Sequence, residues 1–257
     1  MIEEEIEIRT ADGTADGFLF RPDGAGPWPG VIHLTDIFGI RPVSVDLSKR
    51  IASEGYAVLL PNIFYRTGKP PLFPPDSRHG DEKAMKRFQE LVAPLTPDAI
   101  ERDASAYPDF LARQDSVGSG AFGIVGYCFT GGVALRMAAT CPEKFAAVAS
   151  FHGGRLFTDD PASPHLLLPR VKARLYFGHA VEDRSMPKEA IEKFDRALAA
   201  WGGQYESETY DDARHGWTMS DSAAYNQPQA ERAFSKLRDL FAATLRSEGS
   251  GAKTATT

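Results

Sequence analysis

The chain is poor in cysteine, in basic clusters and in uninterrupted apolar sequence, and each shortage removes a class of function. Two cysteines in 257 residues cannot form a disulfide framework, and so sparse a thiol content suits a reducing compartment. With 29 basic against 35 acidic residues the formal net charge is −6, and no block of lysine or arginine appears. Nucleic-acid binding needs a local basic excess, so no nucleic-acid partner is expected. No apolar run approaches the ~20 residues that cross a bilayer. The N-terminus, Met1-Ile-Glu-Glu-Glu-Ile-Glu7, is acidic and lacks the apolar core of a signal peptide. A cytoplasmic protein with no membrane partner is expected. Monomer and homodimer stay equally open.

What is present is a rhythm of short apolar runs and amphipathic stretches. Hydrophobic residues make up 42% of the chain, enough to bury a sheet in one domain of this size. Segments 3–9 and 14–21, separated by a turn at Ala11-Asp-Gly13, read as a leading antiparallel hairpin. Apolar runs at 30–34, 57–60, 121–125, 145–151 and 173–178 read as strands, as does the segment 205–210. Helical patterns at 44–54, 81–92, 97–113, 133–140, 187–201 and 228–246 fall between and after them. That alternation means a mostly parallel sheet of about eight strands with helices on both faces, an α/β class. One domain is expected over 1–246, with a proline-rich excursion at 63–97 and a polar, disordered tail at 247–257.

The most informative stretch is Ala121-Phe-Gly-Ile-Val-Gly-Tyr-Cys-Phe-Thr-Gly-Gly132. Strand, sharp turn, nucleophile, helix is the layout of a nucleophile elbow, in which small neighbours let strand and helix backbones approach. A helix N-terminus also favours thiolate over thiol. Cys128 stands where serine is usual, and Thr130 where the second glycine belongs, with Gly131 one place late. A buried structural cysteine at a strand–helix junction is the plainer reading of this segment alone.

Residues downstream tip the balance. A nucleophile needs a base and the base an orienting carboxylate, and in elbow enzymes these follow in the order nucleophile, acid, histidine. Asp183 follows the strand-like run ending at Gly178, with Glu182 as its competitor. His215 follows the run 205–210, and its neighbour Gly216 allows close packing. Both fall at the rim of the sheet where Cys128 stands, the side on which open parallel sheets place their sites. His179 precedes Asp183 and would break the order. His79 and His165, in proline-rich loops, read as solvated, and His152 as either touching the site or packing. A metal held by Cys128, Asp183 and His215 would lack a closely spaced ligand pair, so no metal and no cofactor is expected.

Gly126-Tyr-Cys-Phe-Thr-Gly-Gly132, Asp183 before Met186-Pro187, His215-Gly-Trp217 and Thr35-Asp-Ile-Phe-Gly39 together resemble the dienelactone hydrolase family of α/β-hydrolases. The similarity runs from about residue 10 to 245 and extends to Tyr225-Asn226 and Ala230-Glu-Arg232. The resemblance implies an α/β-hydrolase fold and a triad of Cys128, Asp183 and His215. It also implies an oxyanion hole from the Ile37 and Phe129 amides. Asp36 stands where relatives carry a glutamate close to the thiol, so a thiol-tuning role is implied for it. Met219 stands where relatives place a carboxylate-binding arginine; the resemblance implies another arginine of that grip before the elbow, with Arg66, Arg78 and Arg87 as candidates. Phe38, Tyr65, Arg66, Tyr127, Trp217 and Met219 are the expected pocket residues.

The expected function is hydrolysis of a small ester or lactone through an acyl-cysteine. An acyltransferase or thioesterase on the same triad, or an α/β-hydrolase-like binding protein with weak chemistry, are the alternatives.

Overall fold

A computed structural model describes residues 1–74, 77 and 81–246; Arg78, His79 and the expected tail at 247–257 lie outside the described residues. Eight strands form one sheet: β1 (Ile2–Thr10), β2 (Gly13–Arg21), β3 (Gly30–Leu34), β4 (Ala57–Pro61), β5 (Phe122–Tyr127), β6 (Phe145–Phe151), β7 (Arg174–Glu182) and β8 (Tyr205–Arg214). Their order across the sheet is β1-β2-β4-β3-β5-β6-β7-β8. The hairpin β1–β2 runs antiparallel and β2 joins β4 antiparallel; every pairing from β4 to β8 is parallel. This is the mostly parallel α/β-hydrolase sheet.

Strand residues alternate between two cores because successive side chains leave a strand on opposite faces. Val31, Val58, Val125, Ala149 and Tyr176 join a core under α1 (Pro42–Ser53) and α7 (Gln227–Leu245). Ile32, Leu59, Ile124, Val148 and Leu175 face the other core. That core is covered by α2 (Glu82–Val92), α3 (Pro97–Asp103), α4 (Ala106–Ala112), α5 (Thr130–Thr140) and α6 (Lys188–Trp201). Central strands β3, β4 and β5 are buried at every residue, which is why they read as continuous apolar runs.

Three elements differ from the sequence pattern. The helix expected over 97–113 is broken into α3 and α4 at Ala104–Ser105. Pro108 has no N–H for the Ala104 carbonyl four residues back, and its ring crowds that carbonyl. Strands β7 and β8 run on to Glu182 and Arg214, past the expected ends at 178 and 210. Asp211 and Asp212, which look like turn residues, sit instead in an irregularity of the β7–β8 ladder, where Asp212 has φ 56°. Because β8 is the sheet's edge, its acidic residues face water and mask the strand pattern.

Candidate active site

The turn between β5 and α5 places Cys128 at φ 60°, a conformation a non-glycine residue keeps only where its surroundings over-determine it. They do so here at both ends of the residue. Its amide donates to the Phe151 carbonyl at 3.1 Å and to His152 Nδ1 at 3.0 Å. Its carbonyl accepts from the Gly131 and Gly154 amides at 3.1 and 3.3 Å. A Cβ on Gly126 would lie 2.2 Å from the Thr130 carbonyl oxygen, and one on Gly131 would lie 2.0 Å from Ser150 Oγ. The close approach that the late glycine serves is therefore at 131. Thr130 acts through its side chain instead. Its hydroxyl accepts from the Tyr127 amide and donates to the Tyr127 carbonyl, both at 2.8 Å, knotting the turn from inside.

Asp183 leaves the end of β7 and His215 the end of β8. His215 Nδ1 donates to Asp183 Oδ2 at 2.6 Å, and Nε2 lies 3.0 Å from Cys128 Sγ. The other Asp183 oxygen accepts from the Ser185 amide at 2.7 Å and hydroxyl at 2.6 Å. Burial favours the neutral form of Asp183, but the bonds from His215 and Ser185 outweigh it and hold the carboxyl below its ordinary value. For His215 burial opposes the charge, yet hydrogen bonds to Asp183 and Cys128 and their negative charges raise it to about 10. Glu182 is exposed, and its backbone carbonyl takes the His215 amide at 3.3 Å. His179 is buried within β7 beside Ser207, where burial lowers it to about 4. Of the candidates for acid and base, Asp183 and His215 are the pair that reaches the thiol.

The backbone amides of Ile37 and Phe129 at this rim are among those with no acceptor among the described residues. Because the Cys128 carbonyl is fixed by Gly131 and Gly154, a trans peptide turns the Phe129 N–H the opposite way. Ile37 lies in the loop after β3, whose end pairs with the elbow strand at Leu34–Gly126. Asp36 shapes that loop by accepting from the Phe38 amide at 3.0 Å, while its carbonyl takes the Gly39 amide.

The Asp36 carboxylate does not stand unshielded beside the thiol. Arg41 takes both its oxygens, at 2.6 and 2.8 Å, so the expected thiol-tuning charge is balanced by a guanidinium. Arg41 also reaches Asp221, at 2.7 and 3.1 Å, and so ties the loop after β3 to the loop that follows His215. His152, read as either touching the site or packing, touches it through the Cys128 amide; Arg41 and Ser185 are site residues that the sequence alone does not reveal. Each acts through a contact between distant segments or a single turn, with no spacing pattern to mark it.

The expected pocket is redistributed. Phe38 lies beside Ile37 in the loop after β3, edge to face with Phe73 at 5.0 Å. Tyr65 lies elsewhere: its hydroxyl bonds to Thr10 and Asp103 at 2.8 and 2.9 Å, at the tip of the β1–β2 hairpin. Arg66 is held between Asp103 and Asp12 at 2.8 and 2.7 Å, with no grip left for a substrate anion. Arg87 bonds the Leu72 carbonyl and Glu90. Tyr127 lies under α1 and α7, lining a cavity of about 170 Å³ with Phe151 and Thr218. Trp217 is fully buried between His152 and Tyr210, and Met219 is in the same core. Large apolar side chains fill cores and line pockets alike, so residue type alone does not separate the two places. The excursion at 63–97 does reach the elbow, through Phe64 and Phe88 against Phe129 at 5.8 and 5.5 Å.

Among the described residues no helix is long and apolar enough to cross a membrane, and no group of three His, Cys, Asp or Glu side chains could hold a metal ion. Known proteins share this architecture. A Synechocystis protein named "Putative carboxymethylenebutenolidase" is 27% identical over 234 residues, covering 90% of this chain and 92% of its own. The carboxymethylenebutenolidase of Rhodococcus opacus is 27% identical over 201 residues, 78% of this chain and 74% of its own. The crystal structure of a "Putative Dienelactone Hydrolase" from Klebsiella pneumoniae superposes with a TM-score of 0.83 at 25% identity, covering 94% of this chain and 98% of that one. The model of the dienelactone hydrolase family matches residues 15–245, and the chain belongs to that family.

Proposed function

We propose that the protein is a carboxylic ester hydrolase that opens a small ester or lactone, with Cys128 as nucleophile, His215 as proton carrier and Asp183 as orienting carboxylate. The observation that carries the reading is the continuous chain Asp183–His215–Cys128, at 2.6 and 3.0 Å, on a strained elbow. His215 Nε2, 3.0 Å from Sγ, takes the thiol proton and leaves the sulfur as thiolate. The thiolate attacks the substrate carbonyl carbon, a C–S bond forms, and the carbonyl electron pair moves onto oxygen. The Ile37 and Phe129 amides donate to that oxyanion, where preorganised donors are most effective. As the tetrahedral adduct collapses, the C–O bond breaks and the leaving alkoxide takes the proton from His215 Nε2. Water then gives a proton to the neutral imidazole and attacks the thioester. The C–S bond breaks, thiolate is restored and the carboxylic acid leaves.

The surroundings favour substrates of modest size and polarity. Phe38, Phe73, Phe64, Phe88 and Phe129 cluster in pairs around the loops that carry the two amides, and Arg41, Arg66 and Arg87 are each engaged by protein oxygens. Among the described candidates none is left to grip a carboxylate, which supports neutral esters and lactones as substrates that match or exceed carboxylated lactones. A working thiolate also suits the reducing cytoplasm as its setting.

The deciding experiment is turnover of 4-nitrophenyl acetate and a panel of small lactones by the wild type, Cys128→Ala and His215→Ala. Cys128→Ala is expected to abolish turnover, and His215→Ala to lose at least about 10²-fold, the scale of general acid–base removal. Activity retained by Cys128→Ala would overturn the mechanism. Acceleration by added alcohols or amines, with transfer products, would replace hydrolase by acyltransferase.

A further inference from the structure

We infer that His152 is a positioning residue for the nucleophile, holding the Cys128 backbone through its Nδ1 and joining it through Nε2 to the loop that carries His215. The inference rests on Cys128 being the nucleophile. It goes beyond the triad because it gives a role to a second histidine that touches neither substrate nor the sulfur proton.

His152 follows β6, is 1% exposed and has φ 41°. Positive φ is uncommon for any residue with a side chain, and the fold must maintain it. Its own amide donates to the Gly178 carbonyl at 2.8 Å. Nδ1 accepts the Cys128 N–H at 3.0 Å, so the ring proton is on Nε2, which donates to Thr218 Oγ1 at 2.8 Å. Thr218 is three residues beyond His215. The ring also lies edge-on to His215 and Trp217, at 5.1 and 5.2 Å between centroids. Two residues further on, the Gly154 amide reaches the Cys128 carbonyl. Segment 152–154 therefore grips the nucleophile by both its N–H and its C=O, and the same ring braces the base from behind. Burial keeps the ring uncharged, the form in which Nδ1 accepts.

The competing description is that the imidazole simply fills space. The two differ in which atom matters, and substitutions separate them. In His152→Asn, Oδ1 occupies the place of Nδ1, and asparagine tolerates a positive φ. In His152→Gln an acceptor is available only toward Thr218, and His152→Phe keeps ring volume without any acceptor. The readouts are kcat and KM on 4-nitrophenyl acetate, the iodoacetamide alkylation rate of Cys128 followed by mass spectrometry, and melting temperature.

His152→Asn is expected to keep kcat and alkylation rate within about threefold of wild type. Gln and Phe are expected to lose roughly tenfold or more in kcat with KM little changed, as misplaced reacting groups do. The Phe151 carbonyl, which shares the Cys128 N–H, keeps the loss from being larger. Wild-type kcat in the Phe or Gln variant would overturn the assignment, as would equal slowing of all three in step with melting temperature. Should Phe fail to fold, the Asn–Gln contrast decides alone. Activity surviving in Cys128→Ala would instead bring down the nucleophile assignment, and His152's part in catalysis with it.

Discussion

Arg41 and Arg66 are built alike and serve different ends. Each guanidinium lies between two aspartates: Arg41 between Asp36 and Asp221, Arg66 between Asp103 and Asp12. Each has one deeply buried partner, since the side chains of Asp36 and Asp103 are 10% and 3% exposed. The Arg66 unit fastens the turn of the β1–β2 hairpin to α3, at the end of the sheet's antiparallel edge. The Arg41 unit joins the loop that presents the Ile37 amide to the loop behind His215. The same chemistry is a staple in one place and part of the proposed catalytic frame in the other. What separates them is which strand ends they connect, and nothing in their local sequence tells them apart.

The largest expected effect is on stability and should be shared. Removing one partner of a buried ion pair leaves the other charge uncompensated, a loss of about 3–5 kcal/mol. Arg41→Met and Arg66→Met should both lose stability on that scale in denaturant titrations. Activity should divide them: per folded molecule, Arg66→Met hydrolyses 4-nitrophenyl acetate like the wild type, and Arg41→Met is slowed about tenfold through a displaced loop after β3. Equal slowing in both would erase the distinction between staple and frame.

A second test concerns Met219, two residues before Asp221. It is 2% exposed among apolar neighbours, so Met219→Arg should not create the anion grip that its place in the sequence suggests. A fixed buried charge without a partner is expected to cost several kcal/mol. Improved turnover of a carboxylated lactone by a stably folded Met219→Arg would show that the loop opens toward substrate.

The smallest effects are in pH dependence, and they assign opposite limbs to the two regions. Hydrogen bonds from Arg102 and Arg66 lower Asp12 from its ordinary 3.8 to about 2. A depressed carboxyl contributes stability that is present above 3.8 and lost as pH falls through 2. His215, raised from 6.5 to about 10, contributes stability that is present below 6.5 and lost as pH rises through 10. Melting temperature against pH should therefore show a shallower acid limb in Arg102→Ala and a flatter alkaline limb in Asp183→Asn. An unchanged alkaline limb in Asp183→Asn would mean that the pair does not hold the proton.

The parts of this molecule that follow from local order are legible in the sequence. Strands 30–34 and 145–151 match their apolar runs end for end. The elbow announces itself through Gly126, Cys128 and Gly131, and Asp183 and His215 through their places after successive strands. Contacts made across the fold are hidden. Arg41 meets Asp221 across 180 residues, and His152 meets Cys128 from the next strand over. Tyr65 and Trp217 have the right chemistry for a pocket wall, but hairpin and core claim them first. Pro108 is visible, yet its effect falls four residues earlier, on the Ala104 carbonyl, and there the expected helix divides.

The two thiols stand at opposite ends of α5, Cys128 before its first turn and Cys141 after its last. Thirteen residues of largely helical rise put them about 20 Å apart, several times the reach of a disulfide. Peroxide attack on Cys128 therefore meets no resolving cysteine within its own chain. The sulfenic acid so formed must wait for a diffusible thiol such as glutathione or pass on to the irreversible sulfinic state, which makes the redox poise around the protein a limit on its working life.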